Sequence, residues 1–187
     1  KNAVLNLNTP ETQRIAIFEN QKELIRKYLI SNIEFNENSW LLDFGCGGGR
    51  FSYFFSSEIN INVVGCDISQ EAINFTRNKG KVSFVKIKQG EIPLCPNTKW
   101  DIIFSCLCFG GIKNKELQKT INKMYSSLNQ GGVIFFIENT SNLFGTSWIF
   151  RSEKVYKRMF SKFSVKVHDS YFDNNEKITA FSATKEI

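Results

Sequence analysis

An apolar run that enters a cluster of glycines, residues 40–51, constrains the fold of this chain more than any other stretch. The apolar residues predict a buried strand, and three phenylalanines follow the glycines at helical spacing. Gly45, Gly47 and Gly49 allow backbone angles that other residues avoid, and they let a ligand approach the main chain. The helix offers free N–H groups and a partial positive charge at its N-terminus. The stretch therefore predicts a strand, a ligand-binding loop and a helix.

A glycine loop of this kind can bind more than one class of ligand. A dinucleotide places its pyrophosphate on the helix N-terminus and requires the pattern Gly-x-Gly-x-x-Gly. Arg50 occupies the third glycine position here, and it is too bulky for the close packing of helix on strand that glycine permits. The pattern that fits is Asp43-x-Gly45-x-Gly47-x-Gly49, in which an acid joins the backbone N–H groups. Such a loop offers a ligand an acidic acceptor together with backbone donors.

Three later features accompany the loop. Asp67 ends a second apolar run, 22 positions after Gly45, where an acidic residue binds ribose hydroxyls in nucleotide-binding folds. The pair Trp100-Asp101 opens a fourth predicted strand, and a predicted helix over 113–128 stops at a glycine cap, Gln130-Gly131-Gly132, before a fifth strand. In this order, the loop, the acid, the aromatic–acid pair and the double glycine resemble class I S-adenosylmethionine-dependent methyltransferases. The resemblance covers the whole chain.

The order of the predicted elements indicates the fold class. Strands alternate with helices five times, which predicts an α/β fold with a mostly parallel sheet and helices on both faces. Asp173-Asn174-Asn175 marks a closing hairpin turn. The resemblance implies a three-layer sandwich with a seven-stranded sheet and a C-terminal antiparallel hairpin. It also implies a single domain over 1–187, with an N-terminal helical cap at 1–35 and a Rossmann-like core over 38–187.

The resemblance implies S-adenosyl-L-methionine as the cofactor and S-adenosyl-L-homocysteine as the product. In that arrangement Asp67 binds the ribose and Ile68 packs against the adenine. The family commonly places an Asp after the third strand for the adenine amino group, whereas this chain has Lys88 or Gln89 there. Gln89, Glu91 or backbone groups then take that role. The predicted cofactor-binding residues are Asp43, Gly45, Cys46, Gly47, Gly49, Arg50, Asp67, Ile68, Gln89, Gly90, Glu91 and Ser105.

The segment after the fourth strand separates the classes of acceptor. Adenine- and cytosine-amino methyltransferases of this fold carry Asp/Asn-Pro-Pro-aromatic there, and this chain has Ser105-Cys106-Leu107-Cys108-Phe109. The Pro-Cys nucleophile motif of cytosine C5 methyltransferases is absent as well. The short chain and the lack of a basic extension favour a small-molecule acceptor and disfavour nucleic acid. RNA methylation stays the alternative, because a net charge of +6 and a pI of about 9.1 permit it.

Catalytic and acceptor-binding candidates follow the fifth strand. Glu138, at its end, is predicted to act as a general base or to bind the acceptor. His168, the only histidine, is the second catalytic candidate, as a general base, although the family fold places its strand at the sheet edge, away from the cofactor. One predicted helical face is basic and consists of Arg151, Lys154, Arg158 and Lys162. The predicted acceptor-binding residues are Phe109, Asn139, Arg151 and Lys154.

The basic residues of this helix predict the kind of acceptor. We expect its N-terminal end, Arg151 and Lys154, to recognise an anionic group such as a phosphate, a carboxylate or an acidic sugar. An ionised oxygen nucleophile needs no general base, which suits a chain without a well-placed histidine. The predicted function is therefore O-methylation of an anionic or sugar-like metabolite. Two other hypotheses stay open: a cofactor-binding module without activity within a larger protein, and a nicotinamide oxidoreductase, against which Arg50 argues.

Cysteine usage indicates the compartment. The five cysteines, at 46, 66, 95, 106 and 108, show no paired metal-ligand spacing, and no metal site is expected. An odd number of thiols on buried strands predicts a reducing compartment, the cytoplasm. No apolar stretch is long enough to span a membrane, no signal-peptide pattern opens the chain, and we expect no membrane partner.

Overall fold

The computed structural model describes residues 10–143 and 148–186. In this part of the chain, seven strands form one sheet: β1 (Trp40–Phe44), β2 (Asn62–Asp67), β3 (Val82–Lys86), β4 (Trp100–Cys106), β5 (Leu128–Asn139), β6 (Ser164–Asp173) and β7 (Glu176–Thr184). The α-helices are α1 (Glu11–Tyr28), α2 (Arg50–Ile59), α3 (Gln70–Asn74), α4 (Asn114–Ser127) and α5 (Glu153–Met159). Short 3₁₀ turns lie at Ile30–Asn32 and Phe109–Gly111.

The strand order β3-β2-β1-β4-β5-β7-β6 confirms the predicted fold class. β1 to β5 run parallel, and β7 lies antiparallel between β5 and β6. The carboxyl ends of the parallel strands therefore share one edge of the sheet with the turn that joins β6 to β7. The glycine loop lies at this edge, and so does the start of α1, where Gln13 Nε2 donates to Asp173 Oδ1.

Alternate side chains of the central strands build an apolar layer on each face of the sheet. Leu41 and Phe135 pack toward α1 and α2, whereas Leu42 and Phe136 pack toward α4 and α5. All four side chains are fully buried. Burial on both faces explains why these strands are nearly continuous apolar runs, and it gives the three-layer sandwich.

Asp101 joins the amino ends of three strands. It lies at the opposite edge of the sheet from the glycine loop, as its position in the sequence predicts. Its Oδ2 accepts from the Trp40 N–H at 2.9 Å and its Oδ1 accepts from Asn129 Nδ2 at 2.7 Å. This carboxylate thereby connects β1, β4 and β5 and has a structural role.

The link between α4 and β5 differs from the prediction. α4 ends at Ser127 and Leu128 is already extended, so the double glycine does not cap the helix. Gly131 has φ +74°, and its N–H donates to the Lys185 carbonyl at 3.0 Å. The glycines instead form the irregular start of β5, where the chain turns back along the residue that follows β7.

α1 is the described part of the predicted helical cap. Ile17, Leu24 and Ile25 bury its inner face against the sheet. Residues 1–9 of the cap lie outside the described residues, and the division into cap and core stays a prediction.

Candidate functional site

Two glycines of the loop are required by packing. Gly45 and Gly49 have φ of +76° and +80°, which side chains rarely adopt. A Cβ on Gly45 would lie 2.4 Å from the Cys108 Sγ, and one on Gly49 would lie 2.7 Å from the Phe84 ring. Gly49 therefore allows the close contact between α2 and the sheet. In the dinucleotide-binding pattern a glycine at position 50 would provide this contact, and here that position is Arg50.

The middle of the loop is open. A Cβ on Gly47 or Gly48 would meet no atom within 4 Å. The Gly47 N–H donates to Asp67 Oδ2 at 2.9 Å, and the Ser69 N–H donates to Asp67 Oδ1 at 2.8 Å. These bonds fix the carboxylate at the end of β2 and leave each oxygen a lone pair for a further donor. The open loop and the oriented acid face the same side.

A cleft of about 120 Å³ adjoins this carboxylate. Ile68, Ile87 and Ile112 supply apolar walls, and Gln89 and Gly90 supply polar groups at the rim. The Ile68 side chain is 57% exposed, which is unusual for an isoleucine and is explained by its position on this cleft. Apolar walls beside a carboxylate fit a flat base attached to a sugar with two hydroxyls.

Asp43 is buried next to the glycine loop and connects the strand before it to the helix after it. Its side chain is 2% exposed and accepts a hydrogen bond from Ser52 Oγ at 2.6 Å. Burial raises the pKa of this carboxyl to about 6. Asp43 therefore joins β1 to α2 on either side of the glycines, and its direct contact with a cofactor stays a prediction.

Arg50 connects the loop to α1. Its guanidinium lies 5.0 Å from the Phe18 ring centroid and 4.6 Å from that of Phe51, and it donates to Gln21 Oε1 at 2.9 Å. Gln21 Nε2 in turn donates to the Tyr171 hydroxyl at 2.7 Å. α1 and β6 therefore converge on the start of α2, beside the open part of the loop.

Sequence reasoning missed the polar groups of α1. Gln21 is fully buried among Ile17, Leu24 and Ile25, and a glutamine within an apolar helical stripe was the available signal. Arg14 lies two turns earlier on the same side of the helix. In the described part of the chain its Nε is buried without a hydrogen-bond partner. A buried unpaired guanidinium nitrogen suits an anionic ligand group.

The other predicted cofactor residues divide into two groups. Gln89 and Gly90 line the cleft, whereas Glu91 is exposed and accepts from the Lys88 N–H at 2.8 Å. Cys46 is 7% exposed, and burial raises its pKa. Ser105 is fully buried, and its Oγ has no hydrogen-bond partner among the described residues.

The structure contradicts a direct catalytic role for Glu138. Its side chain is fully buried, and its Oε1 accepts from the Cys108 N–H at 2.7 Å and the Phe109 N–H at 2.6 Å. The Tyr156 hydroxyl lies 3.5 Å from its Oε2. Burial raises the pKa of this carboxyl to about 7. Glu138 holds the segment after β4, which lines the cleft through Cys108, and it presents no oxygen to solvent.

Arg151 does not lie on the exposed helical face predicted for it, because it precedes α5 and its side chain turns inward. Arg151 is 2% exposed and precedes the helix. Its Nε donates to Asn114 Oδ1 at 2.8 Å, and its two terminal nitrogens donate to the carbonyls of Phe109 and Ile112. Phe109 itself is fully buried in the core. Neither side chain is available to an acceptor.

The remaining acceptor candidates differ in exposure. Asn139 is 4% exposed and donates to Glu176 Oε2, so the structure engages it within the protein. Lys154 is exposed. The His168 ring stacks on Tyr28 at 4.3 Å, its Nε2 lies 2.9 Å from Ser182 Oγ, and burial lowers its pKa. This histidine packs α1 against the edge strand β6, which gives it a structural role.

Two findings on residues 10–143 and 148–186 concern metal-binding side chains and membrane-spanning helices. No group of three or more His, Cys, Asp or Glu side chains there is arranged to hold a metal ion. No helix in the described ranges is long and apolar enough to cross a bilayer.

Comparison with known proteins finds one matching family and solved structures of the same fold. Residues 41–132 match the family described as methyltransferase domain. The matched segment runs from β1 into β5 and contains the glycine loop, Asp67 and the cleft. A solved S-adenosylmethionine-dependent methyltransferase of Methanosarcina mazei shares the fold, with a TM-score of 0.71 at 18% identity over 86% of this chain and 98% of that one.

Two curated relatives match with higher identity over shorter spans. An uncharacterized protein of Methanocaldococcus jannaschii is 27% identical over 142 residues, which are 76% of this chain and 49% of that protein. The tRNA N(3)-methylcytidine methyltransferase Mettl2 of Drosophila melanogaster is 27% identical over 108 residues, 51% of this chain and 33% of that enzyme. The chain therefore spans half or less of the length of these relatives.

The family match agrees with the predicted class of enzyme, a methyltransferase. Residues 41–132, just under half of the chain, thus match a methyltransferase domain, and the fold of the chain agrees with that of a solved methyltransferase.

Proposed function

We propose that this domain binds S-adenosylmethionine at the glycine loop and transfers its methyl group to an acceptor at the carboxyl edge of the sheet. The observation that carries the proposal is the Asp67 carboxylate. Two backbone N–H groups orient it toward the cleft, and one of them comes from Gly47, in the open part of the loop. A ribose diol offers two donors to such a carboxylate, which offers two acceptors.

Along the carboxyl edge of the sheet, successive groups of residues match successive parts of the cofactor. Ile68, Ile87 and Ile112 would enclose the adenine, with Gln89 and Gly90 at its polar edge. The open faces of Gly47 and Gly48 would lie along the methionine part. Arg14 and Arg50 supply positive charge for its carboxylate, because the Arg14 Nε has no described partner and Arg50 lies beside the loop.

The cofactor supplies an activated methyl group, so the protein mainly contributes alignment and exclusion of water. The buried Glu138 and the packed His168 are poor general bases here. An acceptor that is already nucleophilic near neutral pH fits this site best.

Two classes of acceptor are candidates. A small anionic or sugar-like oxygen acceptor was predicted from Arg151 and Lys154, and with Arg151 buried only Lys154 supports it. RNA is the second candidate, favoured by the similarity to a tRNA methyltransferase and by exposed lysines on α4 and α5.

We place the reaction in the cytoplasm, since the described cysteines are all free thiols.

Calorimetry and a radiolabel assay test the proposal. S-adenosylhomocysteine should bind with one-to-one stoichiometry, and NAD should not bind. Transfer of label from methyl-labelled S-adenosylmethionine to small anionic acceptors or to RNA would then identify the substrate class. Binding of NAD with exclusion of S-adenosylhomocysteine would overturn the proposal, and binding without transfer would favour an inactive module.

Replacement of Asp67 by alanine is expected to weaken S-adenosylhomocysteine binding roughly tenfold or more, since hydrogen bonds to a charged acceptor contribute about 1.5–3 kcal/mol. Asp67→Asn should fall between the alanine variant and the wild type, because one carbonyl oxygen remains. Asp169→Ala is the matched control, an exposed acid that pairs with Lys27 away from the cleft. Isothermal titration measures all three, and a change below twofold for Asp67→Ala would contradict the ribose assignment.

A further inference from the structure

The net positive charge of the chain is concentrated in two segments. Residues 113–127 and 151–163 together hold nine Lys or Arg and two Glu, an excess of seven positive charges, whereas the whole chain has a net charge of +6. The rest of the chain is therefore slightly acidic. Arg151 is the one buried member of the nine. The other eight are exposed: Lys113, Lys115, Lys119, Lys123, Lys154, Lys157, Arg158 and Lys162.

These eight side chains, which we call the basic face, lie on two elements that touch each other. Gln118 Nε2 on α4 donates to the Met159 carbonyl at the end of α5, at 3.0 Å. The Tyr125 ring meets the Phe163 ring edge-on with 5.1 Å between centroids. Lys162 Nζ lies 5.8 Å from the centroid of Tyr125. The two helices thus present their lysines side by side on one side of the sheet.

The basic face has few acidic neighbours. Its two acids are each paired, Glu116 with Lys119 at 3.0 Å and Glu153 with Lys177 at 2.7 Å. The opposite side of the sheet differs, because four of the six ion pairs in the described part of the chain involve α1. Charges are balanced there pair by pair, whereas α4 and α5 carry an unbalanced positive charge.

The basic face begins at the candidate site. α4 follows β4 and α5 follows β5, so both helices start at the carboxyl edge of the sheet, where Lys113 and Lys154 lie. Lys115, Lys119 and Lys123 continue along α4 at intervals of four residues, and a 14-residue helix is about 21 Å long. A bound polyanion would therefore extend from the cleft edge across the length of α4.

An exposed aromatic ring stands at the same edge. Phe172 is 72% exposed and lies opposite Lys177 in the β6–β7 register. Lys177 Nζ bonds Glu153 Oε1 at the start of α5, which places the ring beside the basic face. Single-stranded nucleic acids are bound by basic surfaces together with aromatic rings on which bases stack.

We propose that the basic face binds single-stranded RNA and leads it to the methyl-transfer site. The second part of this proposal rests on the proposed function. An anionic membrane is a poorer match, since interfacial helices insert large apolar side chains. The exposed large apolar residues of the described chain all lie outside 113–127 and 151–163.

Fluorescence anisotropy with a labelled single-stranded RNA of mixed sequence, about eight nucleotides long to match one site of this kind, tests the surface. Lys115→Glu/Lys154→Glu should weaken binding at least tenfold and flatten its salt dependence, because each lost phosphate contact lowers the slope by about 0.7. Both changes lie in first helical turns, where an acid is tolerated. Arg77→Glu/Lys79→Glu, an equal change of charge on the exposed loop before β3, should change binding less than twofold. Phe172→Ala should cost roughly fivefold or more.

Separate measurements distinguish the two proposals. S-adenosylhomocysteine titration of the same variants should stay unchanged, so a wild type that binds cofactor but not RNA overturns the RNA surface alone. A wild type that binds RNA but no cofactor overturns the proposed function while the surface stands. Equal losses in the two charge-reversal variants, or sedimentation with phosphatidylserine vesicles without RNA binding, would also overturn the RNA surface.

Discussion

Replacing Gly47 by valine is expected to abolish S-adenosylhomocysteine binding, with a rise in Kd of at least about a hundredfold, which corresponds to roughly 2.7 kcal/mol. An added Cβ at this position would meet no protein atom within 4 Å, so the valine side chain would project into the space that a ligand must occupy. The backbone N–H that orients Asp67 would remain. The expected loss therefore comes from steric exclusion of the cofactor, and isothermal titration measures it.

The variant also carries a backbone cost, because Gly47 has φ +53°. A side chain in the left-handed region costs roughly 1–2 kcal/mol of stability. Gly80, on the loop before β3, is the matched control, because it has φ +56° and an added Cβ there would likewise meet no atom within 4 Å. Gly80→Val should lower the melting temperature by a similar amount and leave cofactor affinity intact. Equal loss of affinity in both variants, or retained affinity in Gly47→Val, would refute binding at the loop.

The second large effect is expected at Glu138. Replacing it by leucine leaves the N–H groups of Cys108 and Phe109 without their acceptor and leaves the buried Arg151 without a nearby carboxylate. An unsatisfied buried donor costs about 1–3 kcal/mol, and an unpaired buried charge costs more. We expect Glu138→Leu to lower the free energy of unfolding by about 3–5 kcal/mol near pH 4.5, and by less as the pH rises through 7, where the wild type itself loses stability. Urea unfolding measures the loss.

Glu138→Gln should instead raise the free energy of unfolding above neutral pH. The pKa of the buried carboxyl is about 7 against an ordinary value of 4.5, so between these values the folded state holds more protons than the unfolded one. The stability contributed by Glu138 is therefore complete below pH 4.5 and is lost as the pH rises through 7. The total loss is about 3 kcal/mol. A glutamine oxygen still accepts the two N–H bonds and does not ionise.

The free energy of unfolding is measured against pH for Glu138→Gln and for the wild type. The difference between the two isolates the contribution of Glu138. Asp43 has a pKa of about 6 and loses stability with the same sign, so the glutamine variant keeps a residual slope. At pH 8 the variant should be more stable than the wild type by up to about 3 kcal/mol, and near pH 4 the two should agree. If the free energies of unfolding of the glutamine variant and the wild type change in parallel over pH 4 to 8, the Glu138 carboxyl ionises in the folded protein without loss of stability, which would contradict the prediction.

The strands and the glycine loop could be predicted from the sequence because their signals are local. A strand buried on both faces is an apolar run, and Gly45 and Gly49 mark positive φ whatever packs on them. Asp67 follows the same logic, since the end of β2 must lie beside the end of β1 in a parallel sheet. The fold class and the loop's ligand class needed no contact between distant residues.

Only the tertiary structure decided the roles of the polar groups that flank the loop. Helical spacing predicts an exposed Arg151, but its guanidinium donates to carbonyls about forty residues away in the chain. Glu138 looked like a free acid, and the register of β4 on β5 gives it two N–H donors. Gln21 meets Tyr171 only because α1 packs on β6. Long-range contacts set burial and partners, and these determine which charged group can reach a ligand.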